Sequence, residues 1–282
     1  LLLLAAGPAM AQDSVDWLHL DGYEGVGALA MRFTDLDLRD PHVFIAIPNP
    51  IGGGTICRDF TDQAIVPGVV NFSFNGQIQT GYTTDTNPAD GFLDSSDLLL
   101  FRPLAQDGTP QRVETQAGQC TAPVAGTSCA PLPGSTPAPF YYASSTTGTC
   151  LAPITGTTGS PAYNPAIASA AAPCFVTAPR TINFANGGTS IPLIGARIAG
   201  TWQGAPATGI SSGLVRGFLR QADADQITIP NPTGGAPIVL SSLLPGGTGN
   251  CSARDDRDTV DGETGWWFYL NYTATVVPYT GP

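Results

Sequence analysis

The chain has 282 residues, 42% of them apolar, which is enough to bury a real core and too many for a disordered polymer. Its 34 glycines and 26 prolines disfavour long helices, because glycine costs backbone entropy and proline lacks a donor. Net charge is -11 and every basic side chain is arginine. That balance repels phosphate backbones, so nucleic acid is excluded as a partner and cations are favoured.

In chain order, Leu1 to Ala6 is an apolar run, and Ala9-Met10-Ala11 fits a small-x-small cleavage pattern. Residues 1–11 are therefore expected to be the remnant of an export leader, with a mature chain from Gln12. No later stretch is long enough to cross a membrane as a helix. Residues 12–282 are expected to form a single β domain. Leu29, Met31 and Phe33 share one parity and Leu36 and Leu38 the other, which implies a bulge or corner between them.

Residues 69–80 read as a strand, since Val70, Phe72 and Phe74 alternate with Asn71, Ser73 and Asn75. Residues 98–104 read as the next strand, so the acidic stretch between them is expected to join strand to strand. From about 105 to 180 Thr, Ser, Ala, Gly and Pro dominate, and a disulfide-pinned surface insertion is expected. One packed helix is expected near 211–224, where Leu214, Val215, Phe218, Leu219 and Ala222 fall at helical spacing. Asp223 and Asp225 would close it, placing anions where cations are preferred, so another job is expected for them, such as a cation or an arginine.

The run from Trp266 to Val277 reads as a long strand. Trp266, Phe268, Leu270, Tyr272 and Ala274 lie on one face, Trp267, Tyr269 and Asn271 on the other, and both faces are expected to be covered. The fold class expected is all-β, a mainly antiparallel sandwich or jelly-roll-like domain carrying that one helix.

Six cysteines agree with export to an oxidising compartment. Proximity favours Cys120 with Cys129 and Cys150 with Cys174. That leaves Cys57 with Cys251 as a long-range staple. Only two histidines occur and no C-x-x-C, so a zinc site is not expected.

The stretch Asp85-Thr86-Asn87-Pro88-Ala89-Asp90-Gly91-Phe92-Leu93-Asp94-Ser95-Ser96-Asp97 concentrates side-chain oxygens around one glycine, as a hard cation requires. Its D-G-x-L-D-x-x-D-L order resembles the calcium loops of dockerin modules and EF-hands. The resemblance implies calcium, with Asp85, Asn87, Asp90, Asp94 and Asp97 as side-chain ligands, the Phe92 carbonyl as a further ligand and Gly91 as the turn. Pro88-Ala89 makes the first half one residue too long, and the match covers about a twentieth of the chain. A partial second copy, Asp256-Arg257-Asp258-Thr259-Val260-Asp261-Gly262-Glu263, repeats the spacing and offers Asp256, Asp258, Asp261 and Glu263. The competing reading of this copy is an acidic turn neutralised by Arg254 and Arg257. The spacing of Asp35, Asp37 and Asp40 is read instead as a charged strand edge.

The whole chain is similar to secreted bacterial proteins that pair a D-G-x-L-D loop with a GWWFYLNYTA-like end, a resemblance that implies no activity. Gly209-Ile210-Ser211-Ser212-Gly213 matches a nucleophile elbow, but no histidine follows it, and a helix start explains it better. The function expected is an exported, calcium-stabilised, non-catalytic structural or binding protein of the periplasm or cell surface, with an extracellular or surface polymer as partner. The alternative is a secreted carbohydrate-active hydrolase working through aspartates.

Overall fold

Eight runs, some apolar on alternate positions and some on both faces, become the walls of one antiparallel sheet. They are β1 (Leu29–Asp40), β2 (Asp97–Arg102), β3 (Gln111–Cys120), β4 (Ala138–Ser145), β5 (Cys174–Thr177), β6 (Thr189–Gln203), β7 (Gly209–Arg220) and β8 (Glu263–Val277). The computed structural model describes residues 27–49, 52–159, 166–186 and 189–282, so the expected leader lies outside the described residues. Each strand pairs with the next in chain order, and β8 pairs back onto β1 from Ala30↔Val277 to Asp40↔Tyr269. The sheet is therefore closed on itself as an up-and-down barrel. Mainly antiparallel β structure is as expected. The expected two-sheet sandwich is replaced by one closed sheet, because β8 is long enough to pair with β7 on one side and β1 on the other.

Side chains fill the barrel. Phe33 stacks on Tyr272 with ring centroids 4.4 Å apart, and Leu36, Leu38, Leu99, Val113, Ile198 and Leu219 are all buried in the same core. Toward the end where β2 meets β3, Phe101, Tyr142, Phe175 and Trp202 form a box of mutually contacting rings, with Phe175 stacked on Trp202 at 4.6 Å. Burial pushes the Tyr142 hydroxyl up to about 12, while it accepts a hydrogen bond from the Ala105 N–H.

Two glycines make room for the central ring. Phe175, Gly200, Gly213 and Tyr272 are consecutive cross-strand neighbours. A Cβ on Gly213 would overlap the Tyr272 ring. Without one, the ring lies against the wall and its hydroxyl donates to the Ala199 carbonyl at 3.0 Å. Burial raises that hydroxyl far above the usual tyrosine range.

Several local expectations meet the structure directly. The parity switch in β1 is a register shift between Phe33 and Asp35. The two faces of β8 divide as expected: even positions from Trp266 to Ala274 belong to the barrel core, while Tyr269 and Trp267 belong to an outer cluster. A strap around Thr149–Leu151 and Ala170–Ala171 covers that outer face. Tyr269 Oη accepts from the Ile154 N–H at 3.1 Å, Asn271 exchanges hydrogen bonds with both backbone groups of Ala168, and Arg216 lies over the Trp267 ring.

Two assignments are reversed. Residues 69–80 are not one strand: Phe74–Thr83 is helix α1, capped by Ser73 Oγ on the Gly76 N–H. It buries Asn75, Ile78 and Tyr82, a helical stripe whose first member is polar and so escapes a hydrophobic count. Asn75 is buried because it replaces a strand. Beyond Arg32, β1 has no pairing with β2. Asn75 Oδ1 accepts from the Leu38 N–H at 2.8 Å, its Nδ2 donates to the Leu38 carbonyl at 3.0 Å, and Gln79 Nε2 donates to the Thr34 carbonyl. The helix thus closes the seam between β1 and β2.

Conversely, the expected helix near 211–224 is strand β7 followed by the single turn α2 (Gln221–Ala224). Val215 and Leu219 point into the barrel while Leu214 meets the outer cluster, so both faces are apolar and the period-two signal vanishes. The elbow-like Ser211-Ser212 lies at a register shift between Ile210 and Gly213.

Residues 105–180, expected as an insertion, supply β3, β4 and β5. The Asp35–Asp40 stretch pairs with β8 on one side and with no strand on the other, so it is a strand edge as expected, but one covered by α1 and not open to solvent, with Asp40 buried.

The other barrel end is capped by two insertions. One is the hairpin of Phe44–Pro48 with Thr55–Asp59; the other runs from α2 to β8 through Leu240–Leu243. Cys57–Cys251 joins them, Cys120–Cys129 joins β3 to the short strand Cys129–Pro131, and Cys150–Cys174 ties the strap to β5. Trp266 Nε1 donates to the Pro245 carbonyl at 2.8 Å and fixes the second cap to the core. Among the described residues, no helix is long and apolar enough to cross a membrane.

Candidate functional site

The first acidic loop joins α1 to β2 and docks on the Cys120–Cys129 corner. Leu93 N–H donates to the Cys120 carbonyl and Ala122 N–H to the Gly91 carbonyl. Gly91 takes a φ of 75°, the turn expected of it. Most of the carboxylates serve the loop itself. Asp90 Oδ1 accepts from the Phe92 N–H and its Oδ2 from Asn87 Nδ2. Asp94 Oδ1 accepts from both the N–H and the hydroxyl of Thr86. Asp97 takes the Tyr82 hydroxyl; its protein surroundings raise its carboxyl above the usual range and that hydrogen bond opposes them. Asp85 differs, because its Oδ1 is buried without a hydrogen-bond partner.

The second loop is divided between an ion-pair corner and a hairpin. Arg254 pairs with Asp256 at 3.1 Å and Arg257 with Asp255 at 2.6 Å. Asp258 and Glu263 lie on opposite arms, with Val260 facing Glu263. Asp261 and Gly262 make the two-residue turn with φ of 52° and 83°, the pattern a tight hairpin demands. D-G therefore serves a hairpin here and a loop turn at 90–91. Among the described residues, no three His, Cys, Asp or Glu side chains are grouped to hold a metal ion.

Folding also gathers a polar cluster that the sequence pattern did not suggest. His42 Nδ1 meets Asp59 Oδ2, and Thr61 donates to Asp59 Oδ1 from its N–H (3.0 Å) and its hydroxyl (2.7 Å). Burial would raise the Asp59 carboxyl, but His42 and Thr61 outweigh it and hold it below the usual range. The Thr61 hydroxyl also accepts from the Val43 N–H, so the carboxylate, the imidazole and the chain entering the first cap are mutually oriented.

Asp256 is buried on the same side, and its carboxyl is raised by that burial, opposed by Arg254 and, more weakly, by His42. Its Oδ2 has no hydrogen-bond partner. Gly159 lies against Asp256 and donates its N–H to Asp40 Oδ2 at 3.2 Å. An imidazole held by a carboxylate can orient or transfer a proton, and here it also braces the cap. The available clue was the short spacing of Asp59-Phe60-Thr61, which makes the Asx turn. The partnership with His42 depends on the hairpin that folds between them.

Compared with protein-family models, with curated proteins and with solved structures, the chain gives no match.

Proposed function

We propose that the chain is an exported, calcium-stabilised, non-catalytic structural or binding protein of the periplasm or cell surface. The observation that carries this reading is the barrel interior, which is occupied by its own aromatic and aliphatic side chains. A lumen filled in this way leaves recognition to the outer loops. An extracellular or surface polymer is the partner class that suits such loops. Three disulfides support an oxidising compartment. The barrel interior is apolar, unlike the polar lumen of membrane barrels.

Calcium would act at the first loop. The unpartnered Asp85 Oδ1 is an acceptor that a cation would satisfy, and Gly91 supplies the sharp turn. Asp85, Asn87, Asp90, Asp94 and the Phe92 carbonyl would hold the ion, with Asp97 adding its carboxylate or staying on Tyr82. The second set, Asp256, Asp258, Asp261 and Glu263, is the weaker candidate, since Arg254 already takes Asp256.

Bound calcium at a hundredfold excess over its Kd would stabilise the fold by about 2.7 kcal/mol. Chelator should therefore lower the melting temperature and added calcium restore it. Asp90→Ala combined with Asp94→Ala should remove that response. A melting temperature indifferent to chelator sinks the calcium reading.

A further inference from the structure

The outer face of the barrel carries a polar groove where β1, β8 and β7 run side by side. Thr273 on β8 is opposite Asp35 on β1. On its other side Thr273 meets two residues of β7, Ser211 and Ser212, because the register shifts between Ile210 and Gly213. Such a bulge re-aims side chains, and both serines line the groove together with Asp35 and Arg39. The groove has a volume of about 170 Å³ and opens on the barrel surface, with Ala166 and Ala168 of the strap as its apolar wall.

The frame of the groove is fixed by groups that are already engaged. Asn271 holds both backbone groups of Ala168, and the Ser212 hydroxyl donates to the Ser169 carbonyl at 3.3 Å. The Thr273 hydroxyl shares a hydrogen bond with Thr34 at 2.8 Å. Arg39 is oriented by Asp37 through Nη2. Three groups in the lining stay uncommitted among the described residues: the Asp35 carboxylate, the Ser211 hydroxyl and Arg39 Nη1. Asp35 is half-buried and Ser211 exposed, and none of these three groups is sealed from solvent. Together they offer one acceptor, one donor and one group that does both.

From this geometry we infer that the groove binds one ring of a neutral sugar chain. A sugar hydroxyl both donates and accepts, so a neighbouring pair of them can give a hydrogen to Asp35 and take one from Arg39, with Ser211 in either role. The alanine methyls suit the C–H face of the ring. Other ligand classes meet a mismatch. Asp35 repels an anion, Arg39 repels a metal ion or an ammonium, and an apolar ligand would leave both charges without partners. Asp35 is the one carboxylate in the lining, whereas glycoside hydrolysis uses two, so the groove holds a sugar without cutting it. The inference rests on the polymer-binding reading proposed above and names the class of that partner and its point of contact. It is independent of calcium, since no residue of the two acidic loops lines the groove.

The test is NMR titration of the full chain with the methyl glycosides of glucose, galactose and mannose, beside affinity electrophoresis in gels containing dextran or galactomannan. Polygalacturonate and chitosan are the charged arms. At least one neutral sugar should bind saturably and shift amides of residues 35–39, 166–168 and 211–213. Asp35→Ala should weaken that binding about tenfold, as loss of a hydrogen bond to a charged group does, and Ser211→Ala several-fold. Ser211→Arg, at an exposed position, should set a cation against Asp35 and abolish binding while melting stays unchanged. The inference is overturned by absence of binding to every neutral sugar and polymer, or by tighter retention on polygalacturonate or chitosan. Binding undiminished in Asp35→Ala also overturns it, but leaves the polymer-binding reading in place with its contact elsewhere. Release of reducing ends from dextran or galactomannan overturns the non-catalytic reading itself, and with it a groove that only holds. Should Asp35→Ala fail to fold, Ser211→Arg decides: retained sugar binding overturns the inference and lost binding supports it.

Discussion

The two ends of this barrel are closed by different physics. At one end the ring box of Phe101, Tyr142, Phe175 and Trp202 fills the opening, and only short loops cross it. Gln106 latches two of these loops together: its Nε2 donates to the Gly204 carbonyl and its Oε1 accepts from the Ala207 N–H. At the other end long insertions cover the opening with a covalent staple, ion pairs and buried carboxylates. Dispersion and burial need no partners beyond good packing, so the first end is inexpensive to close and chemically inert. Polar caps must satisfy every donor and acceptor, and the few they leave over, such as those of Asp225, Ser241 and Asp256, weaken that end.

This contrast can be broken by mutation. The largest effect should come from the packed end: Trp202→Ala empties a fully ringed site and should cost about 3–5 kcal/mol in urea unfolding. Cys57→Ser with Cys251→Ser should come next, at about 2–4 kcal/mol, because the bridge closes a loop with a sequence separation of 194. It should also loosen the capped end selectively, seen as faster amide exchange in residues 44–59 and 240–257 with the ring box unaffected. A larger loss from the disulfide than from Trp202 would show that the caps, and not the packed core, hold the barrel closed.

The smallest effect is a pH dependence confined to the capped end. Asp59 has a folded pKa below its unfolded value, so its stabilisation is present above about pH 4 and lost as pH falls through the folded pKa. Asp59→Asn should therefore lower the melting temperature at neutral pH, with an effect that shrinks as pH falls through the folded pKa. Asp256 has the opposite sign. Its raised carboxyl opposes folding when ionised, and that opposition fades as pH falls from its folded pKa to its unfolded one. Melting curves of Asp256→Asn between pH 4 and 7 should lose that slope; an unchanged slope would place the titration elsewhere.

The same contrast governs how far the amino acids could be read in advance. β8 was legible from Trp266 to Val277, although the strand begins at Glu263, because its β-branched and aromatic run carries no glycine beyond Gly265 to suggest another period. The β1 bulge was legible because a single parity switch has one structural meaning. β7 was not, because glycines at 213 and 217 interrupt a run that is apolar on both faces, and the residue pattern then mimics a helix. The helix at Phe74–Thr83 was hidden by Asn75, a polar residue buried for the backbone groups of Leu38. At the candidate sites, the acids of the first loop and its glycine turn could be named, whereas Asp35 with Ser211, and His42 with Asp59, are joined only once the barrel and its caps are folded.

What the sequence alone determined is what depends on near neighbours and on composition. It determined the β-rich class, the turn at Gly91, the cysteine pairs that spacing favours and the division of the last strand into two covered faces. Barrel closure, the helix sealing the seam beside β1 and the groove with its unpaired carboxylate were decided only by tertiary structure. The reason is range: a turn or an alternation is set by steric limits over a few residues. Closure requires β8 to find β1 from the far end of the chain, where the energy comes from packing that no local pattern encodes.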